Sequence, residues 1–90
     1  MQPMKYDTDP SFWDYYHGLP AEARSAARKA FALWVESPFH PSLHFKCVDK
    51  GERIWSLRVT RRHRALAAET EGTMTWYWIG SHDAYERMIE

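Results

Sequence analysis

Two arginines, a histidine and a tyrosine carry the chemistry that this sequence of 90 residues offers. His82 and Tyr85 stand three apart in "GSHDAYERMI", a spacing that puts two side chains on one face of a helix, and they follow directly on the apolar run "TMTWYWIG". Arg58 lies in the middle of "RIWSLRVT" and Arg64 opens "RALAAET", both runs alternating with a period of two. If these runs are neighbouring antiparallel strands with the arginines on a common face, their guanidinium groups come close only where an anion relieves the repulsion. A phosphate suits such a pair. An imidazole and a phenol beside it would complete the set that metal-free cleavage of an RNA phosphodiester requires. That set is a base for the 2′-hydroxyl proton, cations for the pentavalent phosphorane, and an acid for the 5′-oxygen leaving group. Imidazole exchanges protons near neutral pH, which makes His82 the preferred acid or base, with Tyr85 orienting or protonating. The same spacing also fits a packed arrangement in which Tyr85 lies on Trp78 and His82 sits at the surface near a helix start.

The elements that must position these residues can be read from pattern and punctuation. In "DPSFWDYY", Ser11 offers an N-cap with Asp14 three residues on, opening a short helix that Gly18 ends. In "LPAEARSAARKAFALWVES", Pro20 takes a first-turn position, and Ala23, Ala27, Ala30, Phe31 and Trp34 fall at three- and four-residue spacings. This is an amphipathic helix of about four turns, stopped by Pro38 and Pro41. From Leu43 the period changes to two, and "LHFKCV", "RIWSLRVT", "RALAAET" and "TMTWYWIG" read as four strands joined by turns at "DKGE", "RRH" and "ETEG". Ser81 can cap a last short helix. The expected fold class is therefore α+β: an N-terminal helical hairpin packed on a three- to four-stranded antiparallel sheet with a short C-terminal helix, forming a single domain over 1–90. Alternation turns Trp55, Leu57 and Val59 toward the helices and Ile54, Ser56, Arg58 and Thr60 away. It places Arg64, Leu66 and Ala68 together, and sets Trp76 and Trp78 opposite Tyr77 and Ile79.

Charge singles out the middle of the chain. Net charge is zero, yet residues 46–64 hold seven basic side chains against Asp49 and Glu52, while both flanks are acidic on balance. The central segment is a candidate anion-binding surface. Arg61 and Arg62 in "RRHR" read as cations of a solvated turn at the edge of that surface, within reach of an RNA backbone. One of Trp76 and Trp78 could serve as a platform on which an unstacked base lies. His40, His44 and Cys47 form H-x3-H-x2-C, but Pro41 breaks the helical spacing and a fourth ligand is missing, so no metal is assigned. Cys47, alone in the sequence, reads as a small strand hydrophobe. No P-loop, glycine-rich dinucleotide loop or pair of catalytic carboxylates is present, and no cofactor is expected. The sequence lacks an apolar signal region at its start and any apolar run long enough to span a bilayer, so the expectation is a soluble cytoplasmic protein with no membrane partner.

"PSLHFKCV", "IWSLRVTRRHRAL" and "WYWIGSHDAYERMI", preceded by a helical hairpin with "LP" opening its second helix, together resemble the RelE/ParE superfamily, the toxin halves of type II toxin-antitoxin modules. The specific part is W-S-x-R-V, x-R-A-L and W-I-G-x-H-x-x-Y. The resemblance implies a RelE-like fold and, in the branch of the RelE-like and YoeB-like enzymes, an mRNA endoribonuclease acting on the ribosome through a 2′,3′-cyclic phosphate. It implies that Arg58 holds the scissile phosphate, Arg64 stabilises the transition state and Lys46 adds a substrate-binding cation. Arg61, Arg62 and Trp78 are the further substrate-binding candidates. The implied partners are mRNA and a cognate antitoxin that wraps the helical face or covers the site. Two other outcomes belong to the same resemblance: a ParE-like poison of DNA gyrase, and a non-toxic interaction protein that keeps the fold. The superfamily usually begins with a strand, and in "MQPMKYDTDP" at most Met4 to Tyr6 could pair.

Overall fold

The computed structural model describes residues 4–89. In chain order the elements are β1 (Lys5–Thr8), α1 (Pro10–His17), α2 (Ala21–Glu36), a 3-10 turn (Pro41–Leu43), β2 (Lys46–Asp49), β3 (Ile54–Thr60), β4 (His63–Thr70), β5 (Thr73–Ser81) and α3 (His82–Ile89). They form one sheet in the order β1-β5-β4-β3-β2, with α1 and α2 on one side and α3 against β4 and β5. The α+β class holds. The sheet, however, has five strands rather than three or four, and it is mixed: β2 to β5 form an antiparallel meander, while β1 runs parallel to β5 with Lys5 opposite Thr73 and Thr8 opposite Trp76.

The extra strand extends further than Met4 to Tyr6 because its pairing comes from β5 and not from its own propensity. Lying at the sheet edge, β1 keeps Lys5, Tyr6 and Asp7 exposed, so the charged residues that argue against a central strand are tolerated. The chain leaves β1 through Asp9, whose amide donates to the Trp76 carbonyl at 2.8 Å. Asp9, not Ser11, caps α1: Pro10 takes the first helical position, where a missing N–H costs nothing, and the Asp9 carboxylate accepts from the Ser11 amide at 2.9 Å and its hydroxyl at 2.8 Å. Asp9 is accordingly held below the usual carboxylate range by these hydrogen bonds, backbone first. Pro20 is likewise the residue just outside α2 and not within its first turn. Leu43 belongs to the 3-10 turn, and β2 starts only at Lys46.

The main core lies between the hairpin of α1 and α2 and the sheet. Ala23, Ala27, Ala30 and Trp34 form the buried stripe of α2, as their spacing predicts, and meet Leu57, Ala65, Ala67, Met74 and Trp76. The small alanines of β4 leave room for the aromatics: Trp34 and Trp76 meet edge to face at 5.2 Å, and Phe31 meets Trp76 at 4.9 Å. Each large side chain buried this way contributes roughly 1.5–3 kcal/mol.

One face assignment is overturned. Trp76 and Trp78 do not share a face. Opposite the step from Leu66 to Ala67, β5 carries one extra residue: Leu66 pairs with Trp78 and Ala67 with Trp76, leaving Tyr77 as a β-bulge. The bulge sends Trp76 into the main core while Trp78 joins Leu66 and Tyr85 in a smaller cluster on the other face, and Ile79 returns to the main core.

Candidate active site

The face away from the helical hairpin is organised in rows that cross the strands. In one row Lys46 stands opposite Ser56, Ser56 opposite Leu66, and Leu66 opposite Trp78. In the next, Arg58 stands directly opposite Arg64, and Arg64 opposite Gly80. Alternation therefore located the arginine pair correctly as cross-strand neighbours on the open face. Gly80 is required here because the Trp78 indole lies across it; a Cβ on Gly80 would meet Trp78 Cζ2 at 2.5 Å. The indole forms the floor beside Arg64. Only 7% of Trp78 is exposed, so it supports the site from below, with Tyr15 tilted over it at 6.3 Å, and presents little open surface to a base.

Both arginines keep their charge available. Among the described residues neither forms an ion pair. Arg64 donates from Nη1 to the Thr60 carbonyl at 2.6 Å and the His63 carbonyl at 2.9 Å, which fixes its side chain at the end of the β3–β4 hairpin. Its pKa is lowered, first by burial and then by the neighbouring charge of Arg58, with Tyr85 and Glu86 opposing the shift. Guanidinium groups stay protonated through such a shift, so the unfavourable environment appears as a drive to bind an anion. Arg53, by contrast, is paired with Glu69 at 2.7 Å and drops out of the free cations. Lys46 is exposed on the same face as Arg58, while Arg61 and Arg62 lie exposed in the turn beyond it.

The step from β5 to α3 has no loop. His82 is the first residue of the helix, its amide donates to the Arg62 carbonyl at 2.7 Å, and the Ala84 amide donates to Ser81 Oγ at 3.1 Å, so Ser81 caps as its type suggests. One turn of helix then brings the Tyr85 ring to 5.8 Å from His82. Tyr85 is 5% exposed and packed with Leu66 and Trp78, yet its hydroxyl is not among the atoms sealed without a partner. His82 is 38% exposed at its side chain, with Nε2 3.1 Å from a Glu86 carboxylate oxygen. A shallow groove of about 160 Å³ between Val48, Ile54, Leu66, Tyr77 and the end of α3 continues this face. Burial, followed by the charge of Asp49, pushes the Tyr77 phenol above its ordinary pKa.

Two residues at this site were not singled out from sequence for the roles they occupy. His44 follows the 3-10 turn in a left-handed conformation (φ 45°, ψ 40°), which costs a non-glycine residue roughly 1–2 kcal/mol. Its Nε2 lies 3.2 Å from Arg58 Nη1. The register carried a signal: with Lys46 opposite Ser56, position 44 falls opposite position 58. Glu86 was signalled by its four-residue spacing from His82. The nominal metal set does not converge, since His40 turns its Nδ1 to Ser42, His44 faces Arg58 and the Cys47 thiol donates to the Asp49 carbonyl.

A mixed five-stranded sheet with a helical hairpin on one face is a build that this chain shares with solved toxin structures. The profile of the ParE-like toxin domain matches residues 21–87. Among solved structures, a chain of the RelB–RelE antitoxin–toxin complex from Methanococcus jannaschii superposes with a TM-score of 0.71 at 10% identity, covering 92% of this chain and 98% of the other. The RelBE2 toxin-antitoxin complex from Mycobacterium tuberculosis gives 0.67 at 16%, covering 90% and 100%. A YoeB/ParE toxin from Agrobacterium tumefaciens gives 0.64 at 19%, covering 88% and 99%. At these identities the likenesses establish the fold. A comparison with curated proteins finds no matching sequence. The chain belongs to the ParE-like toxin domain family. Among the described residues, no helix is long and apolar enough to cross a membrane.

Proposed function

We propose that this toxin is an endoribonuclease that cuts mRNA on the ribosome through a 2′,3′-cyclic phosphate. The observation that supports the reading is the direct cross-strand pairing of Arg58 with Arg64 on the open face, next to the strand that continues into α3, the helix of His82 and Tyr85. Arg58 holds the scissile phosphate and Arg64 stabilises the charge that develops on the phosphorane. His82 exchanges the proton, supported by Tyr85 and Glu86. Lys46, Arg61 and Arg62 extend the positive surface along the RNA backbone, and Trp78 holds the floor on which Arg64 and Tyr85 are set.

The partner in this reading is an antitoxin protein, as in the RelB–RelE complexes with which this fold superposes. An apolar groove of about 500 Å³ on the hairpin side, lined by Tyr6, Trp13, Tyr16, Phe31 and Val35, offers it a docking surface away from the arginines. The ParE-like description of the family favours one second reading, action on DNA gyrase, which needs a protein-binding surface and no proton-transfer pair. Controlled expression of the wild type and His82→Ala, with mRNA ends mapped while growth and DNA supercoiling are followed, separates the two. New mRNA cuts in register with codons, absent in the variant, are expected. Growth arrest with intact mRNA and gyrase-linked DNA breaks would transfer the protein to the gyrase reading.

A further inference from the structure

Resting on the ribonuclease reading, we infer that His44 is a catalytic residue, the general base that works opposite His82 as general acid. The row across the open face runs His44, Arg58, Arg64, Gly80: Arg58 pairs with Arg64 and Arg64 with Gly80, and His44 reaches Arg58 at 3.2 Å. His82 lies two residues past Gly80. Adjacent strands are about 4.8 Å apart, so the row from His44 to Gly80 is roughly 14 Å long, with the arginine pair between its ends and His82 beyond the Gly80 end. With His44 on Arg58 at one end and His82 past the other, a phosphate bound to the arginine pair would lie between the two imidazoles, as an in-line displacement demands, since the entering and leaving oxygens are on opposite sides of phosphorus.

The contacts give the two rings opposite hydrogen-bonding roles. Arginine has only donors, so the contact with Arg58 is made to a lone pair on His44 Nε2. A carboxylate accepts, so the contact with Glu86 requires a proton on His82 Nε2. An accepting nitrogen at one end and a donating one at the other suit a base and an acid. The left-handed backbone at His44 turns the ring toward Arg58, and a strained conformation of this kind is retained where it has a use.

In the reaction, the phosphate takes the Arg58 guanidinium and frees the His44 Nε2 lone pair. The 2′-hydroxyl proton moves to that nitrogen as the 2′-oxygen bonds to phosphorus. The bond from phosphorus to the 5′-oxygen breaks, and the 5′-oxygen leaves with the Nε2 proton of a His82 imidazolium, which becomes neutral. The products are a 2′,3′-cyclic phosphate and a 5′-hydroxyl, with no redox change and no co-reactant.

The test uses purified wild type, His44→Ala, His44→Gln and His82→Ala on a ribosome-bound reporter mRNA, made once with the normal linkage and once with sulfur replacing the 5′-bridging oxygen at the cut. A thiolate leaves without protonation. With the normal linkage, all three variants should lose about 100-fold or more. With sulfur, His82→Ala should recover toward wild type while both His44 variants stay slow. Glutamine can still accept from Arg58 but cannot take a proton, so a His44→Gln enzyme as fast as wild type would reduce His44 to holding Arg58 and overturn the inference. Rescue of the His44 variants by sulfur would overturn it too. A wild type that cuts neither substrate would remove the ribonuclease reading, and this inference with it.

Discussion

The two faces of the sheet are built from different materials. Under the helical hairpin, Leu57, Ala65, Ala67, Trp76 and Ile79 interlock with Phe12, Ala27 and Trp34, and none of them carries a charge. On the open face a thin layer of Leu66, Trp78 and Tyr85 carries Lys46, Arg58 and Arg64, and among the described residues the arginine pair forms no ion pair. The difference teaches that folding and chemistry are assigned to opposite sides of the same strands. Successive residues of β3, such as Leu57 and Arg58, therefore answer to different demands. Substitutions should separate accordingly, and each of the following would break or sharpen the contrast.

The largest effect is expected at Arg64. Arg64→Ala should lower mRNA cleavage by about 10²–10³-fold, the usual consequence of losing one transition-state donor, and abolish growth arrest. Its urea midpoint should stay near that of wild type, and a collapse of the midpoint would show the open face to be structural after all. Next comes the adjacent layer: Leu57→Ala should destabilise by about 2–5 kcal/mol in urea unfolding, with cleavage per folded molecule retained. Gly80→Ala tests the boundary between the two. The added Cβ displaces the Trp78 ring, so stability should fall by about 1–3 kcal/mol and cleavage should fall with it, because the floor of the site moves. The smallest effect belongs to Asp9, far from both. Its folded pKa lies below the unfolded 3.8, so its contribution is fully present above that value and is lost as pH falls through the folded one. Asp9→Ala should lower the thermal midpoint slightly at pH 7, and the difference from wild type should vanish in strong acid.

Alternation made the covered face and the arginine pair legible, because β3 and β4 are regular from Ile54 to Arg58 and from Arg64 to Leu66, where period two translates directly into sides. The three-residue spacing marked His82 and Tyr85 as neighbours on one helix face, and their rings stand 5.8 Å apart in α3, which follows β5 without a loop. What escaped was set by partners. The bulge at Tyr77 is a mismatch between β4 and β5, invisible in β5 alone, and it separated two tryptophans that period two had put together. The edge strand exists because β5 offers it hydrogen bonds, whereas its own residues argue against a strand. Asp9 displaced Ser11 as the cap because Pro10 fixed where the helix could begin. His44 was hidden in a spacing that suggested metal, and only its left-handed backbone turns it toward Arg58.

The parallel pairing of β1 with β5 joins Lys5 to Thr73 across most of the sequence, while β2, β3 and β4 pair through short turns. Contacts between distant residues form late because a long loop must first be closed. The arginine pair, on a hairpin, should therefore be in place at the folding transition state, and the pairing of β1 should not. Stopped-flow kinetics would show this as slower folding for Ala65→Gly, against faster unfolding with little change in folding rate for Tyr6→Ala. A molecule on its way to the native state would then be able to grip an anion before the sheet is complete.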